Sequence, residues 1–88
     1  MFTDIGTEVY QAWSTEKRRE EIGKLVEGYR AGVPVVVLCM TAAAVAGSHD
    51  DAREYLSDFM PLEERQAVVA AQAGADEEVQ SLVRSFML

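Results

Sequence analysis

The sequence predicts an all-α fold: a compact orthogonal bundle of four to five helices forming one domain over residues 1–88. Three observations carry that prediction. The stretch Gly32 to Gly47, GVPVVVLCMTAAAVAG, holds no charged side chain, and Thr41 is its one plainly polar residue. On both sides the chain is dense in charge and repeats its apolar residues every three or four positions, the spacing of one helix face. Glycine or proline punctuates the chain at Gly32–Pro34, Gly47, Pro61 and Gly74, where each can close one helix or open the next. A water-soluble chain keeps so apolar a segment dry by wrapping it with its other elements or with a partner. Residues 34–46 are therefore expected to be a central helix sheathed by its neighbours.

Residues 1–13 place Phe2, Ile5, Val9 and Trp13 along one side of a helix. Thr3 or Asp4 is its candidate cap, because either side chain can accept from an open backbone N–H. Gly6 weakens the first turn. Residues 14–31 resume the pattern at Ile22, Leu25, Val26 and Tyr29 after a wholly charged run, Glu16 to Glu21. Ser14 and Thr15 are good caps and offer a break. Nothing between Trp13 and Glu16 forces a turn, however, so a near-continuous helix from about Asp4 to Ala31 is the favoured reading. Glu20 and Lys24 form an i,i+4 pair in the better orientation, worth about 0.3 kcal/mol.

The valines of residues 33–38 have strand propensity. A lone strand would bury unpaired N–H and C=O groups, whereas a helix satisfies them internally. Pro34 fits the first helical position and Gly47 a stop. Ser48 then caps a short helix with Asp51 in its first turn. Ala52, Tyr55, Leu56 and Phe59 or Met60 form its inner side. Pro61 pushes Met60 out of helical geometry into a corner, and Asp58 is the candidate cap of the next element. Pro61–Ala73 is predicted helical, with Leu62, Val68, Val69 and Gln72 inward and Gly74 as its stop. The last helix starts at Ala75 or Asp76 and carries the stripe Val79, Leu82, Val83 and Phe86.

Composition narrows the function. The formal charge is −7. It is concentrated: residues 1–30 hold five basic and six acidic side chains, residues 31–88 three and nine. Such a chain repels a phosphate backbone, so direct nucleic-acid binding is not expected. The basic cluster Lys17, Arg18, Arg19, Lys24 and Arg30 is interleaved with glutamates and reads as a salt-laced face. No basic stretch feeds an apolar core at the N-terminus, and the central run is too short to span a bilayer. The expected location is cytoplasmic, with no membrane partner. The single cysteine, Cys39, sits in the apolar run and reads as a small buried side chain.

Catalytic, cofactor and metal sites are not expected. Cys39 and His49 are the one thiol and the one imidazole, about ten residues apart on different helices. A Cys–His pair would need direct contact and a third group to orient it. His49, Asp50 and Asp51 are adjacent and cannot converge on one ion without further ligands. No calcium-loop or glycine-rich phosphate-loop pattern is present. Ser48, Ser57 and Ser81 stand in Gly-Ser-His, Leu-Ser-Asp and Gln-Ser-Leu, not in the Asp-Ser-Leu that carries the prosthetic arm of acyl carrier proteins.

The remaining signal is a cluster of carboxylates bracketing the Met60–Pro61 corner: Asp50, Asp51, Glu54, Asp58, Glu63 and Glu64. Tyr55 and Met60 are expected to supply an apolar centre to this rim, the anatomy of a protein-binding patch. The expected function is a non-catalytic regulatory or inhibitory module that engages a basic surface on another protein. A target that handles nucleic acid has such a surface, and the limiting case is a nucleic-acid mimic of the kind phages deploy. The alternative is a small structural subunit that forms a homo-oligomer, its dimer surface built from Trp13, Phe86 and neighbouring apolar residues.

Overall fold

In the computed structural model, which describes residues 10–88, the uncharged segment is a helix at the centre of an all-helical bundle. Five helices follow one another among the described residues: α1 (Thr15–Arg30), α2 (Val35–Ala46), α3 (His49–Phe59), α4 (Leu62–Ala70) and α5 (Glu77–Met87). The central helix α2 packs against α1, α3 and α5, while α4 packs mainly on α5. Helices α2 and α3 meet at 115°, which makes the bundle orthogonal. The described helices share one apolar core.

Local chemistry sets most boundaries. Pro34 is extended and leads into α2 as its cap, one residue earlier than the first helical position. Gly47 closes α2 in the left-handed region at φ 93°, and Gly32 takes φ 123° just after α1, conformations that cost a side-chain-bearing residue about 1–2 kcal/mol. Ser48 caps α3 as expected, its Oγ accepting from the Asp51 N–H at 3.1 Å. Met60 is extended at the corner before Pro61. Asp76 precedes α5.

Three expectations are corrected. The first helix is not continuous into α1. The chain turns at Tyr10–Trp13 and Ser14 is extended, its Oγ accepting from the Lys17 N–H at 3.1 Å. That cap satisfies an open donor of α1, and Trp13 folds its ring edge onto Tyr10, with centroids 5.0 Å apart. The expected stripe and caps at Phe2, Thr3, Asp4, Ile5, Gly6 and Val9 lie outside the described residues. Second, α4 ends at Ala70 rather than Ala73. Residues 71–74 form successive turns, and the Gln72 side-chain amide donates to the Val68 carbonyl at 3.2 Å, an acceptor that a longer helix would have used, while Gln80 donates to the carbonyls of Ala73 and Ala75 at 3.3 and 2.8 Å. Third, Asp58 does not cap α4. Arg19 holds its carboxylate instead, and Leu62 faces solvent rather than the core.

The core is apolar throughout. Ile22, Val26, Leu38, Cys39, Leu56, Met60, Val83 and Met87 are fully buried, and no polar side chain is buried with them among the described residues. The central helix is not sheathed on all sides, however. Val35, Leu38, Cys39, Ala42, Val45 and Ala46 turn inward, while Val37 and Met40 remain 49% and 58% exposed. Among the described residues, α1, α3 and α5 cover one side of α2 and leave the other open.

Candidate protein-binding surface

The placement of the basic side chains decides what the surface looks like. Arg18 reaches from the start of α1 to the Ala46 carbonyl at 2.8 Å and the Tyr10 carbonyl at 2.9 Å. Arg30 donates to the Phe59 carbonyl at 2.9 Å. Arg65 bridges the Met60 and Met87 carbonyls at 2.9 and 3.0 Å, and Arg53 donates to the Leu88 carbonyl at 2.7 Å. Tyr10 apart, these acceptors lie at the C-terminal ends of α2, α3 and α5. Helix ends of that polarity carry unpaired carbonyls and partial negative charge, so a guanidinium there satisfies both. The arginines are therefore structural clasps rather than a basic patch.

The rest of the basic side chains pair with carboxylates. Arg30 clamps Glu64 with two bonds, 2.6 and 3.0 Å, the bidentate geometry that makes guanidinium–carboxylate pairs strong. Arg19 pairs with Asp58 and lies 4.9 Å from the Tyr55 ring centroid. Lys24 contacts Glu21 at 2.9 Å, and Lys17 lies over Trp13 at 5.3 Å. Arg84 alone has no such partner among the described residues.

The carboxylates of the expected patch separate accordingly. Asp58 and Glu64 are tied to α1. Asp50, Asp51, Glu54 and Glu63 are exposed and have no lysine or arginine partner among the described residues. Asp50, Glu54 and Asp58 follow one another at i,i+4 and run along one ridge of α3. The apolar centre expected for the patch is absent from the surface: Met60 is fully buried and Tyr55 nearly so. Both face inward because α3 is amphipathic and its inner side packs on α1, α2 and α5. Phe86 is likewise buried, its ring 4.4 Å from that of His49, and Trp13 is half-buried against the core. The dimer surface expected from Trp13 and Phe86 is thus not presented.

Ionisation follows these contacts. The Arg30 hydrogen bond holds the Glu64 carboxyl below its ordinary value of 4.5, and the Lys24 contact does the same for Glu21. A depressed folded-state value means that the contact stabilises the fold above the ordinary carboxylate range and is lost as pH falls through the lowered value. Glu64→Gln is expected to lower Tm at pH 7 and to flatten its fall below about pH 4.5, so that the two melting curves converge in acid. Parallel curves at all pH values would show that the clamp is energetically silent. Burial pushes the Cys39 thiol up to about 11, which leaves it protonated and unreactive at neutral pH.

Asp50, His49 and Ser85 stand in the order of a hydrolytic triad, but neither the Ser85 hydroxyl nor the Asp50 carboxylate is set for that role. Ser85 donates its hydroxyl to the Leu82 carbonyl at 2.7 Å. His49 Nε2 lies 3.2 Å from the Ser85 Oγ. Asp50 is 3.8 Å from Nδ1, beyond a hydrogen bond. The serine is not activated by this arrangement. Among the described residues no three His, Cys, Asp or Glu side chains are placed to hold a metal ion. No single helix among them is long and apolar enough to cross a membrane.

The described residues also form open grooves. One, about 570 Å³, is lined by Tyr29, Arg30, Val33, Pro34, Val36 and Gln72 at the N-terminal end of α2. Another, about 400 Å³, runs over Gly23, Glu27 and Phe59 between α1 and the end of α3. Fold and surface together define a small acidic all-α bundle whose arginines, Arg84 apart, are spent internally. Comparison with protein-family models, curated proteins and solved structures finds no match for this chain.

Proposed function

We propose that this chain is a non-catalytic protein-binding module that docks the carboxylate ridge of α3 against a basic surface on another protein. The observation that supports it is the internal use of the basic side chains. Arginines clasp helix ends and two of the corner carboxylates, and Asp50, Asp51, Glu54 and Glu63 are left facing solvent. A ridge of one sign attracts an opposite surface over roughly a Debye length, ~8 Å in physiological salt, and steers its approach. A protein that handles nucleic acid offers a surface of that kind, and the chain then acts as an inhibitor or regulator of it.

Capture from lysate with the intact chain tests this reading. Partners are expected to be retained at low salt, released at high salt, and lost from the double variant Asp51→Lys, Glu54→Lys. Both positions are exposed, so the variant keeps its fold. Retention that ignores both salt and charge reversal sinks the proposal.

A further inference from the structure

The open side of α2 carries an inference independent of the acidic ridge. Val33, Val37 and Met40 are 40%, 49% and 58% exposed, and Ala44 is exposed one turn further on. Val33 lies just before α2, and within the helix Val37, Met40 and Ala44 are spaced by three and four, the seam spacing of paired helices. No charged side chain interrupts the chain between Gly32 and Gly47. We infer that this stripe is the contact of a weak antiparallel homodimer, α2 against α2 of a second copy.

Charge selects the occupant and its direction. A charged or polar partner finds nothing on the stripe to pair with. Two copies of a chain bearing −7 repel through every acidic face, and this stripe is the side on which they meet without opposing like charges. Asp50 and Asp51 follow the C-terminal end of α2, while the N-terminal end is bordered by Arg30, neutralised by Glu64. A parallel pair would set the two aspartate ends together. An antiparallel pair sets each against the neutral end of its partner and opposes the helix dipoles favourably. Val37 of one copy then meets Met40 of the other, as facing seam positions do in antiparallel pairs.

Area sets the strength. Pairing the stripes, with Pro34, Val36 and Ala44 at the margins, covers roughly 400–500 Å² on each copy, against the ~800 Å² per partner of a standard stable interface. The dimer is therefore a high-concentration species, with a dissociation constant on the order of 100 µM. Salt screens the mutual repulsion and tightens it, which is opposite to the effect on a charge-led contact.

Sedimentation equilibrium of the full chain from about 5 µM to about 1 mM, bracketing that constant, tests the inference. The mass is expected to climb from 9.7 kDa toward twice that value, more readily in added salt. Met40→Glu is expected to raise the dissociation constant at least ~10-fold, whereas Leu62→Glu, an equally exposed apolar position off the stripe, leaves it unchanged. Circular dichroism is expected to show that both variants keep their helicity. Mixed Val37→Cys and Met40→Cys chains are expected to oxidise preferentially to the mixed disulfide. A chain that stays monomeric throughout, a dimer indifferent to Met40→Glu, or disulfides formed only between like variants overturns the inference.

Discussion

Replacing Leu56 by alanine is expected to cost the fold about 3 kcal/mol, within the usual range for a fully buried leucine. Leu56 has no exposed surface. It sits on the inner side of α3, where α1, α2 and α5 all pack against that helix. Loss of its side chain removes transfer free energy and leaves a cavity that three neighbours cannot all close. A chain of 88 residues has a total stability of only about 4–13 kcal/mol. The substitution therefore removes a quarter to most of it. Urea denaturation should show the midpoint falling with the slope unchanged, and Tm should drop by roughly 12–24 °C. Leu62→Ala is the control, because Leu62 is 52% exposed and its loss should stay within about 0.5 kcal/mol. Equal costs at the two positions would mean that the inner side of α3 is misassigned.

Gly47→Ala is the second large effect, at about 3 kcal/mol, and it has two separable causes. Gly47 closes α2 at φ 93°, where a Cβ adds about 1–2 kcal/mol of strain. That Cβ would also stand 2.6 Å from Arg18 Nη1, so the guanidinium must leave the Ala46 carbonyl it bonds at 2.8 Å. A hydrogen bond from a charged donor is worth about 1.5–3 kcal/mol. The double-mutant cycle with Arg18→Ala separates the two. Where Arg18 is already absent, Gly47→Ala should cost only its strain, about 1–2 kcal/mol. Strict additivity would show that the added Cβ does not disturb the Arg18 clasp.

These two sites illustrate what could be seen in the chain and what could not. The Gly47 stop, the Ser48 cap with Asp51, the Met60 corner before Pro61 and the start of α5 at Asp76 follow from chemistry within a few residues, and all were legible. The inner stripe of α5 was legible for the same reason, because charge on one side and bulk on the other leave one way to turn it. The break at Trp13–Ser14 was missed because a serine cap and a continuous helix are both locally reasonable. Contacts from Arg18 to Tyr10 and Ala46 accompany the break. The candidate surface was half legible. Its carboxylates could be named from charge alone. That Arg19 and Arg30 withdraw Asp58 and Glu64 from it, and that Tyr55 and Met60 face the core, could not.

Helix content, most boundaries and the apolar identity of the centre were thus written in the residue order, because caps, turns and periodicity act between near neighbours along the chain. Which side of α2 is covered was not. An apolar helix without a polar face has no periodic signal to say which way it turns, and only the docking of α1, α3 and α5 leaves Val37 and Met40 outside. The arginine clasps were settled in the same way, across separations of 28 residues from Arg18 to Ala46 and 34 from Arg30 to Glu64. A guanidinium finds its carbonyl or carboxylate only after packing has brought the two helix ends together.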